Sequence, residues 1–330
     1  MDARSIRADR GDDRTRLDHV LARHLADRRD VSRSLLQRLI RSGRVRLNGQ
    51  AATRPAARLA PGDRLEVELP APPPPPPAPE PQPLPLSVLY EDEHLLAVDK
   101  PAEQVVHPAP GHRDGTLLNA LLWLARGWPE GAAPHLVQRL DLGTSGLLLV
   151  AKTPEMHAAL VRSLAAPDAA KEYLAVTYGA PAAAKGRIDL PIGLDPADRR
   201  RRRVDAAGKP AATRYERLAT GSGPGERLAL LACRLETGRT HQVRVHLSAR
   251  GLPLVGDPLY GAPRWHGLAD PELARCCREL PRQALHAWRL VFGHPVSRRR
   301  VELTAPLPAD LSSLLGSAGV AAPPVHPPPS

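Results

Sequence analysis

The chain has 330 residues, with 46 lysines and arginines against 35 acidic residues, so its formal net charge is +11. This length allows two domains, and the basic excess favours RNA or DNA as a partner ahead of an acidic membrane surface. A GC-rich genome, which raises the arginine content everywhere, is the competing explanation. Cys233, Cys276 and Cys277 form no even-numbered disulfide framework, and no apolar run approaches the roughly 20 residues of a membrane span. We therefore expect a cytoplasmic protein.

The N-terminal segment predicts a small module of two helices and short strands. Residues 1–13 are charged and lack periodicity, which predicts disorder. Two short helical patterns follow, the second capped by Ser32. The strand-like segment 45–47 leads into a predicted hairpin turn at Asn48-Gly49, and a second strand-like segment, 65–69, closes the module. A solvated helix face is one interpretation of the basic residues around the second helix. The other is a surface that contacts RNA phosphates, formed by Arg33, Arg38, Arg41, Arg44 and Arg46.

Residues 71–85 are mostly proline, and stiff polyproline II cannot join a sheet, so we expect a semi-rigid spacer. The next domain, residues 86–308, has more strand-like than helix-like segments. It predicts an α+β fold with a large, mainly antiparallel mixed sheet and flanking helices. The composition of residues 309–330 predicts a disordered tail.

We expect neither a nucleotide cofactor nor a metal. No glycine-rich phosphate loop opens any predicted strand of the larger domain. His107 and His112 lie close in sequence but have no third ligand partner nearby.

The stretch from Gln138 to Lys152, QRLDLGTSGLLLVAK, places one carboxylate, Asp141, shortly before an apolar run. The run, 147–151, predicts an interior strand, and Thr144-Ser145-Gly146 predicts a turn before it. Asp141 would therefore lie on a loop at the edge of a sheet. Chemistry is often displayed at such a position, but ordinary aspartates also cap turns there. The stretch alone leaves both interpretations open.

Several motifs then follow in one order: RLDLGTSGLLLVAKT, KEYLAV, GRTHQVRVHL, GDPLYG and ALHAWRLVFGHP. This set resembles the RluA-type family of RNA pseudouridine synthases, over about residues 86 to 308. The order TRLDHVLA, SRSLLQRLIRSGRVRLNG, PGDRLEVE resembles the S4 (S-four) RNA-binding domain, over most of residues 14–70. Together they are most similar to the branch of the family that modifies large-subunit ribosomal RNA.

The resemblance implies a role for each motif residue. Asp141 would be the catalytic carboxylate, either a nucleophile or the base that takes a sugar proton. Arg244 would pair with Asp141 and keep it ionised, and Tyr173 would lie against the uracil ring. Arg139 would fill the gap left by the extracted uridine. The residues better suited to positioning phosphates and loops are Arg239, Thr240, His241 and Gln242.

Each of these roles has a structural alternative. Arg244 could project from an alternating strand into solvent, and Tyr173 could be a half-buried sheet tyrosine. Gln138 stands where the family usually has histidine, and Leu142-Gly143 replaces a frequent charged pair. Glutamine cannot carry a proton, so these departures put substrate placement or the subfamily in question.

The leading hypothesis is a cofactor-free, monomeric pseudouridine synthase acting on ribosomal RNA. A non-catalytic RNA-binding ribosome-assembly factor that kept the fold is the alternative. A DNA-binding regulator is disfavoured because the larger domain lacks a convincing helix-turn-helix.

Overall fold

The computed structural model describes residues 2–28, 30–71, 78–109, 111–221, 227–262 and 264–323. The chain divides into two compact units, Met1–Ala78 and Pro79–Ser330. The division falls inside the segment expected to be a spacer, of which residues 72–77 lie outside the described residues. Within the described parts of the chain, no helix is both long and apolar enough to cross a membrane.

The N-terminal unit packs two helices on a small antiparallel sheet. Its elements are β1 (Asp2–Arg7), α1 (Leu17–His24), α2 (Arg33–Arg41), β2 (Val45–Leu47), β3 (Gln50–Ala51) and β4 (Arg64–Leu69). The strand order is β1-β4-β2-β3. Ser32 caps α2, as predicted, by accepting a hydrogen bond from the Leu35 amide. Leucines from both helices form one buried cluster with residues of β2 and β4.

The prediction that residues 1–13 are disordered is wrong. Asp2–Arg7 pairs with β4 along its whole length, and a 3-10 turn follows at Arg10–Asp12. The strand is stabilised by backbone hydrogen bonds to a segment some 60 residues away. Its own sequence has no apolar periodicity, so the strand could not be predicted from it. An edge strand can also keep its charged side chains in water.

A ten-stranded sheet is the framework of the second unit. The strands of this unit are β5 (Ser87–Glu91), β6 (Leu95–Lys100), β7 (His135–Leu136), β8 (Ser145–Ala151), β9 (Ala170–Tyr178), β10 (Lys185–Asp189), β11 (Ile192–Leu194), β12 (Arg202–Val204), β13 (Ala212–Thr220), β14 (Leu228–Leu235), β15 (Leu285–Gly293) and β16 (Arg300–Thr304). The order is β10-β13-β14-β9-β15-β8-β6-β5, with β16 beside β15 and β7 beside β8, while β11 and β12 form a separate ribbon. Among the described strands, β8 and β15 make the one parallel pair, so the mainly antiparallel α+β prediction is confirmed.

Helices cover both faces of this sheet. They are α3 (Leu117–Leu124), α4 (Pro154–Ser163), α5 (Gln242–Ala249), α6 (Pro271–Glu279) and α7 (Ala309–Ser317). Helix α3 packs with Leu148 and Val150 of β8 on one face, and α4 packs with Leu147 and Leu149 on the other. Because β8 is buried on both faces, its sequence is a continuous apolar run that ends the Asp141 motif.

Two further expectations about the chain termini and spacer need correction. Helix α7 buries Leu311, Leu314 and Leu315 in the cluster that holds α6, so residues 309–317 are ordered; only residues 324–330 of the expected tail lie outside the described part. The alanine- and proline-rich composition of the tail predicted disorder, although this short leucine pattern lies within it. Part of the expected spacer also belongs to the second unit, because the Gln82 amide donates to the Asn119 carbonyl at 3.0 Å.

Candidate active site

A cleft of about 570 Å³ in the second unit brings the predicted motifs together. It is lined by parts of the Asp141 loop, strand β9, the segment that leads into α5 and the loop before α3. The polar side chains around it include Gln138, Arg139, Asp141, Lys171, Tyr173, Arg239, His241 and Arg244. The residues that the resemblance assigns to catalysis therefore share one cleft.

The Asp141 loop is a tight turn immediately before β8. The Thr144 amide donates to the Asp141 carbonyl at 3.0 Å, and Gly143 adopts a φ of +81°. The nearest neighbour of a Cβ atom on Gly143 would be Oε1 of Gln283, at the far end of a flexible side chain, so it is the left-handed backbone that favours glycine here. The turn presents the partly exposed carboxylate of Asp141 to the cleft.

Arg244 reaches Asp141 from helix α5. Its Nη1 lies 3.5 Å from Oδ2 of Asp141, while its Nε and Nη2 each donate to the buried carboxylate of Asp257 at 2.8 Å. Burial alone would lower the pKa of Arg244, but the hydrogen bonds and charge of Asp257 outweigh it and raise that pKa. The side chain is 3% exposed and lies on a helix, so the alternative of a solvent-facing arginine on a strand is wrong.

Tyr173 lies on β9 and contributes its ring to the cleft. Burial raises the pKa of its phenol, and the negative charge of Asp141 adds to the effect. The hydroxyl is therefore protonated at neutral pH. It can donate a hydrogen bond or a proton. The ring of Tyr173 also offers a flat apolar surface on which a planar ring could stack.

His241 stands between Asp141 and Tyr260. It has a left-handed φ of +58°, its Nδ1 lies 2.8 Å from the Tyr260 hydroxyl, and its Nε2 lies 3.8 Å from Oδ2 of Asp141. The hydroxyl already accepts the Arg202 amide at 2.7 Å, so its own proton can go to Nδ1. Burial lowers the pKa of His241, which favours a neutral ring with its Nε2 proton facing Asp141.

Gln242 was expected to position phosphates and loops, and the structure corrects the phosphate part of that prediction. Its side chain is 2% exposed. Its Oε1 accepts hydrogen bonds from the Thr237 hydroxyl and the Arg239 amide, and its Nε2 donates to the Ala212 carbonyl and the Thr213 hydroxyl. With all its bonding capacity used inside the protein, Gln242 fixes the backbone at the start of α5.

Gln138, where the family usually has histidine, donates from Nε2 to the Leu147 carbonyl at 3.1 Å. It therefore has a structural hydrogen bond that needs no titratable ring. Arg139, next to it, is exposed at the cleft.

Comparison with known proteins decides the family. Residues 94–249 match the RNA pseudouridylate synthase family, and residues 15–65 match the S4 domain. The chain is 42% identical over 309 residues to ribosomal large subunit pseudouridine synthase D of Xanthomonas campestris pv. campestris, covering 92% of this chain and 88% of the relative. The chain belongs to the RNA pseudouridylate synthase family.

Further comparisons agree with this assignment. The synthase is 41% identical over 304 residues to ribosomal large subunit pseudouridine synthase D of Pseudomonas aeruginosa, covering 91% of each chain. The solved structure of human RNA pseudouridylate synthase domain containing 1 matches it with a TM-score of 0.54 and 28% identity, over 70% of this chain and 87% of that one. The predicted family and the S4 domain are confirmed, and the protein is an RNA pseudouridine synthase, an isomerase.

All five arginines expected to contact RNA are exposed on the S4 domain of the synthase: Arg33, Arg38, Arg41, Arg44 and Arg46. Arg33 differs from the other four because its Nε and Nη2 donate to the buried carboxylate of Asp18 at 3.2 and 3.1 Å. Arg33 therefore has a structural function that its position in a basic cluster did not reveal.

The synthase has one candidate group of metal ligands among its described residues, formed by Asp9, Asp12 and His24 in the N-terminal unit. Nη2 of Arg23 lies 2.6 Å from Oδ2 of Asp9 and 2.9 Å from Oδ1 of Asp12. A guanidinium thus already neutralises these carboxylates. None of the three candidate ligands belongs to the unit that contains the cleft.

Two residues that support the cleft were missed as functional in the sequence. Asp257 and Tyr260 both lie in the GDPLYG motif, which was noted but given no role. Asp257 holds Arg244 and also accepts the Leu259 amide at 2.9 Å. Asp257, the one acidic residue of the motif, was the feature of the sequence from which a supporting role could have been predicted.

Proposed function

We propose that this synthase converts specific uridines of large-subunit ribosomal RNA to pseudouridine, with Asp141 as its catalytic carboxylate and without a cofactor. The names of its relatives and its S4 domain support ribosomal RNA as the substrate. The observation that carries the catalytic assignment is the 3.5 Å contact between Asp141 and a buried, permanently charged Arg244 inside the cleft.

The chemistry accounts for this choice of residues. Isomerisation breaks the bond between C1′ and N1, turns the uracil and joins C1′ to C5; N1 gains a proton and C5 loses one, with no net redox change or hydrolysis. The step needs a carboxylate that stays ionised in a pocket poor in water. Arg244 supplies a permanent positive charge 3.5 Å from the Asp141 carboxylate, which orients it for the reaction. Asp141 then acts as a nucleophile on the sugar or base, or as the base that takes a sugar proton.

Tyr173 and the basic residues have separate tasks in this proposal. The Tyr173 ring stacks on the uracil, and its protonated hydroxyl is available for a late proton transfer. Arg139 is exposed beside Asp141 and fills the space that the extracted uridine leaves in the RNA stack. Arg239, Thr240 and His241 position the phosphates and the loop around the target.

The S4 arginines contact phosphates further along the RNA, with Arg38, Arg41, Arg44 and Arg46 as the main candidates and Arg33 shared with Asp18.

We infer that the enzyme acts as a monomer, because Asp141, Tyr173 and Arg244 of one chain line one cleft. A ribosomal RNA substrate and three free cysteines favour the cytoplasm.

Deleting the gene and mapping pseudouridines in the host's large-subunit rRNA tests this function. Carbodiimide-dependent primer-extension stops report each pseudouridine. At least one stop is expected to vanish on deletion and to return with a plasmid copy of the wild-type gene. The Asp141→Asn gene should not restore it, whereas Asp168→Asn, which changes an exposed aspartate of the same unit, should. An unchanged set of stops after deletion would contradict the proposal.

A further inference from the structure

We propose that Arg282 and Gln283 are positioning residues for the isomerisation, because they tie the Asp141 loop to the segment that holds Arg244. The proposal rests on the catalytic role of Asp141 proposed above. Both residues lie outside the stretch that matches the synthase family, residues 94–249. Neither is among the described residues that line the cleft, so any effect on the reaction must pass through other residues.

Side chains of this pair hold the three residues that follow Asp141. Nε2 of Gln283 donates to the Leu142 carbonyl at 2.8 Å and to the Thr144 hydroxyl at 2.9 Å. Nη1 of Arg282 donates to the Gly143 carbonyl at 3.1 Å. The Leu142 side chain is 56% exposed, so it does not anchor the loop by apolar burial. Polar contacts therefore hold these residues: those from this pair, together with the 2.9 Å hydrogen bond that the Gly143 amide donates to the Ala102 carbonyl.

The backbone of Arg282 also meets the loop that supports Arg244. Gly256 has a φ of +70°, and a Cβ atom there would lie 2.1 Å from the Arg282 carbonyl oxygen. The next residue, Asp257, makes the two 2.8 Å hydrogen bonds to Arg244. One short segment thus contacts both the loop that carries the catalytic carboxylate and the loop that orients its cation.

The Arg282 guanidinium is also bound by a carboxylate of helix α7. Its Nε and Nη2 donate to Asp310 Oδ2 and Oδ1 at 2.6 and 2.8 Å, in a fork-to-fork contact with helix α7. The arginine is buried, and the same planar group binds a helix on one edge and the Gly143 carbonyl with its remaining nitrogen. Helix α7 thereby supports the active site, although its own residues lie in the segment expected to be a disordered tail.

Removal of these hydrogen bonds is expected to slow the chemical step. Asp141 and Arg244 stand 3.5 Å apart, at the long limit of a hydrogen bond, so a small shift of the loop separates them. A misplacement of about 1 Å in an active site can cost on the order of 100-fold in rate. RNA affinity should stay constant, because neither residue lines the cleft.

The test compares Gln283→Met, Arg282→Lys and Asp310→Asn with wild type on a transcript of the rRNA target region. Single-turnover pseudouridine formation at saturating enzyme should slow by roughly 10- to 100-fold, with an unchanged dissociation constant for the RNA. Asp310→Glu keeps the carboxylate and should recover more of the rate than Asp310→Asn. The control is Glu91→Gln, which removes the carboxylate that pairs with the buried Lys152 just beyond the other end of β8.

Three results would overturn the positioning role: a folded Gln283→Met variant with the wild-type rate, a loss confined to RNA affinity, or a loss of rate no larger than that of Glu91→Gln at equal thermal stability. If Gln283→Met does not fold, Asp310→Asn decides, because Asp310 is partly exposed. A wild-type enzyme that leaves its rRNA unmodified would instead contradict the proposed function, which separates the two failures.

Discussion

Arg244→Lys is the substitution that most sharply examines the geometry of the cleft. It preserves the positive charge, so long-range attraction of RNA is unchanged. A lysine nitrogen, however, cannot reproduce the planar fork that binds Asp257 with two nitrogens and faces Asp141 with the third. The variant must therefore lose either the support from Asp257 or the contact with the Asp141 carboxylate.

The size of the effect follows from the hydrogen bonds that lysine cannot make. Hydrogen bonds to charged groups contribute about 1.5–3 kcal/mol each, and leaving a buried charge without its partner costs about 3–5 kcal/mol. A loss of about 2.7 kcal/mol confined to the transition state corresponds to roughly 100-fold in rate. We expect at least that decrease in single-turnover rate, together with a lower unfolding temperature.

The assay is chromatography of nucleosides from a digested rRNA transcript after reaction with saturating enzyme. Arg250→Lys, at the exposed C-terminal cap of the same helix, is the matched control and should behave as wild type. A folded Arg244→Lys variant with the wild-type rate would show that the guanidinium fork is not needed, and would refute this reasoning.

Three further predictions concern other parts of the molecule. Asp18→Asn should destabilise the S4 unit by about 1.5–3 kcal/mol in thermal unfolding, because Arg16 and Arg33 then donate to a neutral amide instead of a buried carboxylate. Burial alone would raise the pKa of Asp18, but hydrogen bonds from Arg16, Gln37 and Arg33 lower it, so wild-type stability should hold above about pH 4 and fall at lower pH, while the variant lacks this dependence. Arg38→Ala should reduce the slope of log affinity against log salt by about 0.7–0.9, and an unchanged slope would remove Arg38 from the phosphate contacts. Gly146→Ala should cost about 3 kcal/mol or more or prevent soluble expression, because a Cβ would lie 2.2 Å from the Ala287 carbonyl oxygen.

Local patterns predicted the elements whose stability is local or whose burial is uniform. The two S4 helices have apolar faces, Ser32 has the side chain of an N-cap, and β8 is apolar because both of its faces are covered. The family resemblance carried by the ordered motifs predicted which residues meet in the cleft. Members of one family share a fold, so residues at matching motif positions are expected to lie together in each member.

Long-range contacts explain what the sequence did not show. Strand β1 depends on a partner some 60 residues away, and α7 on three leucines within an alanine- and proline-rich tail. Gln242 was expected, with its neighbours in the GRTHQ segment, to help position phosphates, but residue type does not reveal that its side chain is buried. Helix α5 is buried on nearly every side, so its sequence lacks the period of an amphipathic helix and suits a strand equally well.

The contacts of Arg282 and Gln283 with the Asp141 loop join residues 139 positions apart or more. No local period or charge run marks them. Only the parallel pairing of β15 with β8 brings the two segments side by side. Supporting residues of this kind become visible only in three dimensions, because their contacts with the loop include the Leu142 and Gly143 carbonyls, and backbone atoms carry no sequence signal.

The proposed catalytic role of Asp141 is tested directly by measuring pseudouridine formation by Asp141→Asn on the rRNA target in vitro. Asparagine keeps the shape of the side chain but cannot act as the nucleophilic or basic carboxylate. We expect wild-type RNA affinity with no detectable pseudouridine, while the wild-type enzyme modifies the same transcript. Pseudouridine formation by the variant at the wild-type rate would contradict the assignment of Asp141 as the catalytic residue.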